Sequence, residues 1–299
     1  MEGLIDLHIH SLYSADGDYT PEKLVNMCRD AGVMTMAISD HNSVRANEEA
    51  ILVAGPLGIR YIPAVELDCT YRGVDLHVLG YQIEYKSPDF GMAEDNIRKQ
   101  DRRASLESFD LVRRLGFDIT EDELYAVSGE GYWKNVWTGE VFAEVLLHKT
   151  EYMDHEMLRP YRQGGSRSDN PYVNFYWDYF SQGKPFYAEM IYPILKDVVA
   201  MIKDNGGKVV LAHPGNNLKG RYELLDEIVG FGLDGVEAFT SYHDESVAQH
   251  FCSEAQRLGI GVTCGSDFHG KTKPRVCLAD GVLPEQLQAL RNSSLLLSL

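Results

Sequence analysis

Histidines recur at one kind of position in this sequence, the predicted C-terminal ends of β-strands. His8 and His10 close the first predicted strand in the run Asp-Leu-His-Ile-His, and Asp267 and His269 follow the last one in Ser-Asp-Phe-His. Side chains alternate along a strand, so residues two apart point to the same side and can bind one metal ion. The two motifs therefore predict a metal site to which both ends of the chain contribute.

Five more candidate ligands lie near predicted strands. Asp16 is in the loop after the first strand, and on or just after other strands lie His41, Glu66, His77 and His213. Any one histidine at such a place is more often an ordinary core or loop residue. Six of the ten histidines together with three carboxylates are hard to explain that way, because α/β folds bind ligands where strand C-termini converge. Imidazole-rich sets with a few carboxylates favour Zn, Mn or Fe over Mg or Ca. We expect two or three divalent transition-metal ions.

The elements that must position these residues are short apolar runs alternating with amphipathic segments. Predicted strands cover residues 3–9, 34–39, 60–67, 74–81, 208–212, 235–239 and 261–264. Thr20 and Pro21 are typical of a helix start, and further helices are predicted over 42–53, 194–204, 222–231 and 244–258. Strands that alternate with helices indicate a mostly parallel sheet, either open or closed as a barrel.

The middle of the chain breaks this alternation. A long helix predicted over 89–115 leads into aromatic, polar and Gly-rich sequence without further strands. We therefore predict a main α/β domain formed by residues 1–95 and 190–299. Residues 96–189 are predicted to form a mainly helical subdomain, inserted over the mouth of that domain.

The amino-acid composition limits the kinds of molecule that the protein is expected to bind and where it is expected to occur. The 299 residues include 28 basic and 45 acidic side chains, a formal net charge of −17 that opposes binding to anionic membranes or to a long nucleic-acid tract. Five scattered cysteines predict reduced thiols rather than a disulfide framework. The N-terminus has no signal-peptide pattern, and no run approaches the ~18 apolar residues of a membrane span. We expect a soluble cytoplasmic protein.

Six motifs together resemble the signature motifs of the PHP (polymerase and histidinol phosphatase) family, and in particular its single-chain phosphoesterases with a helical insertion. They lie at residues 6–11, 39–41, 65–66, 76–77, 212–214 and 265–269. The resemblance implies a distorted (β/α)7 barrel with up to three metal ions at its C-terminal face. The implied ligands are His8, His10, Glu66 and Asp267 for one ion, Glu66, His77 and His213 for a second, and Asp16, His41 and His269 for a third.

The predicted function is hydrolysis of a phosphomonoester of a small molecule, a nucleotide or nucleoside bisphosphate being the leading substrate. Metal ions ~3.5–4 Å apart can share a hydroxide at neutral pH, and that hydroxide is the expected nucleophile. The alternatives are a 5′–3′ exonuclease on short RNA or DNA ends, a phosphatase of the histidinol-phosphate type, and a catalytically silent metal-binding module.

Four further residues are candidates for catalysis or substrate binding. His243 follows a predicted strand and is expected to contact phosphate or protonate the leaving oxygen, unless it is an exposed histidine at a helix start. Asp40 is expected to orient a ligand imidazole or to cap the following helix. Arg102 and Lys134, the latter between two tryptophans, are expected to bind a base and its second phosphate, unless they are ordinary solvated charges.

Overall fold

The computed structural model describes residues 3–129, 132–281, 290 and 293–299. This part of the chain contains eight strands: β1 Leu4–Ile9, β2 Val33–Ile38, β3 Arg60–Tyr61, β4 Ala64–Tyr71, β5 Val74–Tyr81, β6 Lys208–Leu211, β7 Gly235–Thr240 and β8 Gly261–Gly265. Its α-helices are α1 Pro21–Asp30, α2 Ala46–Ala54, α3 Pro88–Arg114, α4 Glu121–Ser128, α5 Gly139–His148, α6 Pro171–Tyr179, α7 Leu195–Asp204, α8 Pro214–Asn217, α9 Leu225–Val229, α10 Glu245–Leu258 and α11 Ser294–Ser298.

The strands form two sheets, in the orders β1-β2-β3 and β4-β5-β6-β7-β8. The pairs β1–β2, β2–β3, β6–β7 and β7–β8 are parallel, as expected of strands that are connected through helices. Isolated parallel bridges join Ile9 of β1 to Phe268, just after β8, and His41, just after β2, to Glu66 of β4. The small sheet is thus linked to the large one at both edge strands of the large sheet. The α/β class is confirmed, whereas a closed barrel of seven strands stays a prediction.

The pairs β4–β5 and β5–β6 are antiparallel and depart from the predicted pattern. Arg72 and Gly73, with φ of 48° and 74°, form a two-residue turn that folds β4 back onto β5. The segment predicted as one strand over 60–67 is in fact divided between β3 and β4, and β4 continues to Tyr71. Glu66 consequently lies within a strand rather than at its end.

Buried apolar side chains form a main cluster between the large sheet and helices such as α7 and α10. A second cluster consists only of residues between Phe109 and Phe186, and it packs α3 against α4, α5 and α6. Helix α3 runs through the predicted boundary at residues 95 and 96 without a break. The division into a main domain and an inserted subdomain stays a prediction.

Candidate metal centre

The predicted ligands converge although they come from distant parts of the sequence. Within the described residues, their donor atoms form three overlapping groups, in each of which all atoms lie within 4.8 Å of one another. The groups are His8, His10, Glu66 and Asp267; His41, Glu66 and His77; and His10, Asp16, His41 and His269.

Glu66 is the centre of this arrangement and is fully buried. Its two carboxylate oxygens lie 3.1–3.3 Å from ring nitrogens of five histidines: His8, His10, His41, His77 and His213. Burial alone would favour the neutral acid, but the facing imidazoles hold the pKa of Glu66 well below its usual range. The carboxylate is therefore charged and placed between two groups of ligands, as a bridging ligand must be.

The second group differs in one member from the expected set. His41 joins Glu66 and His77, while His213 approaches Glu66 separately, with its Nε2 3.2 Å from Oε1. His213 has a φ of 23°, which is uncommon for a residue other than glycine, and it stands directly before α8. His41 therefore lies within reach of two groups instead of one.

Several donor atoms of the cluster face one another at 3.0–3.3 Å but form no hydrogen bond within the described part of the chain. They are Nε2 of His10 and His269, Nδ1 of His41, and Oδ1 of Asp16 and Asp267. Unsatisfied buried polar atoms are costly, and they are rare unless a ligand or an ion completes them. Burial, together with the facing rings of His41 and His269, lowers the pKa of His10 to about 3. A neutral imidazole with a free lone pair is the form that binds a metal ion, so this donor set fits cations.

Outer partners fix the orientation of the ligand rings. Nδ1 of His8 lies 3.0 Å from Oε1 of Glu237, Nδ1 of His10 lies 2.9 Å from Oγ of Ser14, and Nδ1 of His269 faces a backbone carbonyl at 2.9 Å. A histidine that donates from Nδ1 presents the lone pair of Nε2. All three Nε2 atoms are thereby directed into the cluster.

Asp40 lies beneath the cluster and is fully buried. It accepts hydrogen bonds from the backbone and hydroxyl of Ser11 at 2.6 Å each and from the hydroxyl of Ser14 at 3.0 Å. The same hydroxyl of Ser14 contacts Nδ1 of His10, so Asp40 is linked to this predicted ligand through Ser14. The orienting role of Asp40 stays a prediction. The alternative, capping of the following helix, is wrong because α2 begins at Ala46 and Asp40 accepts no bond from it.

His243 has contacts that its expected role toward the substrate does not require, and that role stays a prediction. Its Nδ1 lies 2.9 Å from the carbonyl of Ala238, its Nε2 accepts a hydrogen bond from the backbone of Gly215 at 3.0 Å, and its ring stacks on Phe251. Both nitrogens are therefore used by the backbone. Burial lowers the pKa of His243, which suits the neutral form that these two bonds require.

Arg102 and Lys134 also lie elsewhere than expected. Both are exposed, and neither lines the cavity of about 210 Å³ that opens beside the metal ligands. The two tryptophans that flank Lys134, Trp133 and Trp137, are buried and do line it. The lysine of this motif is thus on the surface, whereas its two tryptophans lie in the cavity wall.

Four acidic or basic residues of the cavity wall were not predicted from the sequence: Asp68, Asp101, Glu140 and Lys273. Oδ1 of Asp68 lies 3.3 Å from Nε2 of His77, and its place two residues after Glu66 on the same strand was a usable signal. The ammonium of Lys273 lies 2.5 Å from Oδ2 of Asp267. The other two come from α3 and α5, whose packing over the site no local pattern indicates.

The PHP domain family matches residues 6–166, more than half of the chain. The chain belongs to the PHP domain family. Two of the six motifs that suggested it, at 212–214 and 265–269, lie beyond the matched residues, and His213, Asp267 and His269 from them join the cluster described above.

Relatives of this PHP protein match nearly their full length. This chain is 27% identical over 270 residues to phosphoribosyl 1,2-cyclic phosphate 1,2-diphosphodiesterase of Eggerthella lenta. The match covers 89% of this chain and 94% of the relative. This chain is 26% identical over 268 residues, covering 89% and 87%, to 3′,5′-nucleoside bisphosphate phosphatase of Chromobacterium violaceum. Both are named as hydrolases of phosphate esters, and the predicted enzyme class is confirmed.

A solved structure shares the fold over nearly the whole chain. The crystal structure of a protein described as a metal-dependent phosphoesterase, from Bifidobacterium adolescentis, matches this PHP protein with a TM-score of 0.73 and 27% identity. The match covers 96% of this chain and 95% of the other. Within the described residues, no helix is both long and apolar enough to cross a membrane.

Proposed function

We propose that the protein is a metal-dependent phosphomonoesterase that acts on a small molecule such as a nucleotide. Two or three divalent ions would be held by the nine predicted ligands: His8, His10, Asp16, His41, Glu66, His77, His213, Asp267 and His269. The observation that carries the proposal is Glu66, whose buried carboxylate lies between the nitrogens of five histidines.

The donor set indicates which ions these are. Six imidazoles and three carboxylates favour Mn, Zn or Fe, since Mg and Ca prefer oxygen ligands alone. Bound ions of this kind supply Lewis acidity toward phosphate oxygens and lower the pKa of coordinated water by several units. Every one of the nine positions holds a competent donor, which argues against a catalytically silent module.

The chain itself prepares this chemistry in two ways. Glu237 and Ser14 hold the Nδ1 atoms of His8 and His10, so that each Nε2 is fixed before a ligand arrives. Lys273 places a positive charge at the cavity beside Asp267, where it can neutralise part of the charge of a phosphate group.

The cavity supports a small substrate. Its volume of about 210 Å³ lies below the ~300–1,000 Å³ that is common for ligand pockets. Residues of α3, α5 and α6 form its outer wall, and the protein carries a net charge of −17. Only a small ester or the last nucleotide of a strand could enter, and an extended polyanion would be repelled.

The test is phosphate release from an aryl phosphate by protein that has been stripped with a chelator and reloaded with Mn, Zn or Fe(II). We expect no release without metal, recovery on reloading, and loss of activity in His10→Ala and Asp267→Asn. His148→Gln, which alters an exposed histidine that is neither a predicted ligand nor part of the cavity wall, is the matched control and should keep full activity. Full activity in both site variants would refute the proposal.

A further inference from the structure

We propose that Asp68 is a positioning residue for His77. Its carboxylate holds the proton of the imidazole on Nε2, so that Nδ1 is the atom that binds a metal ion. None of the sequence motifs includes Asp68, and it is not one of the nine predicted ligands. The inference rests on the proposed function, because it concerns a metal ion that this function requires.

The ring of His77 lies between two carboxylates, one at each nitrogen. Its Nδ1 lies 3.1 Å from Oε1 of Glu66, and its Nε2 lies 3.3 Å from Oδ1 of Asp68. A neutral imidazole has one protonated nitrogen and one lone pair, so only one of the two nitrogens can bind a cation. Because Glu66 belongs to two of the donor groups, an ion beside it would take Nδ1 of His77. The proton then stays on Nε2, from which it can be donated to Asp68.

This arrangement reverses that of three other ligand rings. The rings of His8, His10 and His269 are held at Nδ1 and present Nε2 to the cluster. A ring that presents Nδ1 instead needs its outer partner at Nε2. Asp68 lies at that nitrogen and lines the cavity, so this outer partner stands on the cavity side of its ring.

Asp68 is placed as an outer partner rather than as a further ligand. It belongs to none of the three donor groups found among the described residues. Its Oδ1 lies 4.0 Å from Nδ1 of His41, farther than from His77, and its Oδ2 is already bonded to Asn42. One oxygen of the carboxylate is thus available to His77.

Asn42 fixes the direction of that carboxylate. Its Nδ2 donates to Oδ2 of Asp68 at 2.6 Å, and its Oδ1 accepts from the backbone N–H of Asp68 at 3.0 Å. Because a backbone N–H can only donate, the amide of Asn42 has a single favourable orientation. Asn42 is itself buried, and its backbone N–H donates to the carbonyl of Glu66 at 2.6 Å. Asp68 is therefore aimed at His77 before any ion arrives.

The contacts of Asp68 indicate which ion should depend on it. A carboxylate at the outer nitrogen makes an imidazole a stronger ligand, and its loss commonly lowers metal affinity by about 10–100-fold. The two predicted ligands that lie within 4.0 Å of Asp68 are His41 and His77, and both belong to the group of Glu66. The effect should therefore fall on the ion held by that group.

The test exchanges the hydrogen-bonding polarity of the pair while keeping its shape. In Asp68→Asn the amide oxygen must face Nδ2 of Asn42, so the NH2 group is turned toward Nε2 of His77 and requires a lone pair there. The proton then moves to Nδ1 and competes with the metal ion. The double variant Asn42→Asp with Asp68→Asn returns an acceptor to His77. Asp110→Asn, exposed on α3, is the matched control.

Two measurements follow the metal ion without any substrate. Calorimetric titration of the metal-free full chain with Zn should show one ion bound about 10–100-fold more weakly in Asp68→Asn. The double variant and the control should bind it as the wild type does. 15N NMR of the Zn-loaded wild type with labelled histidine should show Zn on Nδ1 and a proton on Nε2 of His77, whose signals are those absent from His77→Gln.

Zinc on Nε2 of His77 in the wild type would overturn the inference, whether or not the variants fold. Unchanged affinity in Asp68→Asn, or an equal loss in the single and the double variant, would overturn it as well. Each of these results is compatible with normal phosphate release and leaves the proposed function intact. The expected zinc binding without any phosphate release would support the inference and refute the proposed function.

Discussion

Glu237 and His8 form a fully buried pair in which Oε1 of the carboxylate lies 3.0 Å from Nδ1 of the imidazole. The second oxygen of Glu237 accepts a hydrogen bond from the backbone of His213 at 2.8 Å. Strand β7 carries no proposed ligand. Its Glu237 nevertheless holds two of them in place, His8 through the ring and His213 through the backbone. This relationship could not be predicted from the sequence, in which Glu237 is far from both His8 and His213.

Glu237→Gln should lower metal affinity by about 10–100-fold, the usual effect of removing such an outer partner. The amide has a single acceptor oxygen, so it cannot serve both Nδ1 of His8 and the backbone of His213. Calorimetric titration of the metal-free protein with Zn or Mn measures the effect. Glu223→Gln changes an exposed glutamate and should leave the affinity unaltered; equal affinities in the two variants would contradict the proposed role of Glu237.

Ser14 joins Asp40 to the metal ligands through one hydroxyl group. That hydroxyl donates to Asp40 and accepts from Nδ1 of His10 and from the backbone of His41 at 2.9 Å each. Ser14→Ala should destabilise the metal-free protein by about 1–3 kcal/mol, because it leaves buried polar groups without partners. Urea unfolding measures the loss. The exposed Ser253→Ala is the control, and identical unfolding midpoints for both variants would show that the contact is unimportant.

The parts of the site that the sequence could predict are those governed by local geometry. Two-residue spacing on a strand placed His8 with His10, and the resemblance gave Glu66 its place in two ligand sets. Asp267 and His269 instead lie beyond β8, with Asp267 at a φ of 57°, and they join different groups. The hairpin of β4 and β5 was not predicted because alternation indicates a strand but not the direction of its partner. Asp101 and Glu140 lie on helices α3 and α5, which are brought to the site by tertiary packing. Local sequence patterns predict a helix but not where it packs.

His243 shows that the residue type and a position after a strand are not enough to assign a catalytic or binding role. Its position after β7 predicted contact with substrate, but a ring with two nitrogens can equally satisfy two backbone groups. In the structure it does so, with Ala238 and Gly215. Only the partners of a histidine, which sequence does not reveal, separate the two roles.

Metal binding should raise thermal stability as well as activity. A ligand that binds only the folded state stabilises it by about 2.7 kcal/mol at a concentration of 100 times Kd. The buried donor atoms of His10, Asp16 and His269 that form no hydrogen bond among the described residues would gain a partner at the same time. Thermal unfolding with and without Zn or Mn measures the shift in Tm. The shift should be clearly smaller in Asp267→Asn, and an equal shift would place the stabilising ion elsewhere.

Gly265, the last residue of β8, lets the backbone pass close to the ligands. A Cβ built on it would lie 2.1 Å from Cβ of His8 and 2.7 Å from Oε1 of Glu237, closer than real Cβ atoms approach. Gly265→Ala should therefore displace His8, cost about 1–3 kcal/mol of stability and abolish tight metal binding. Gly91→Ala, in helix α3 with nothing within 4 Å of the new Cβ, is the matched control and should stabilise the protein by about 0.5–1 kcal/mol. Urea unfolding and metal titration of both variants check the pair, and normal metal affinity in Gly265→Ala would mean that the position of His8 is less constrained than its contacts with Glu237 and Gly265 imply.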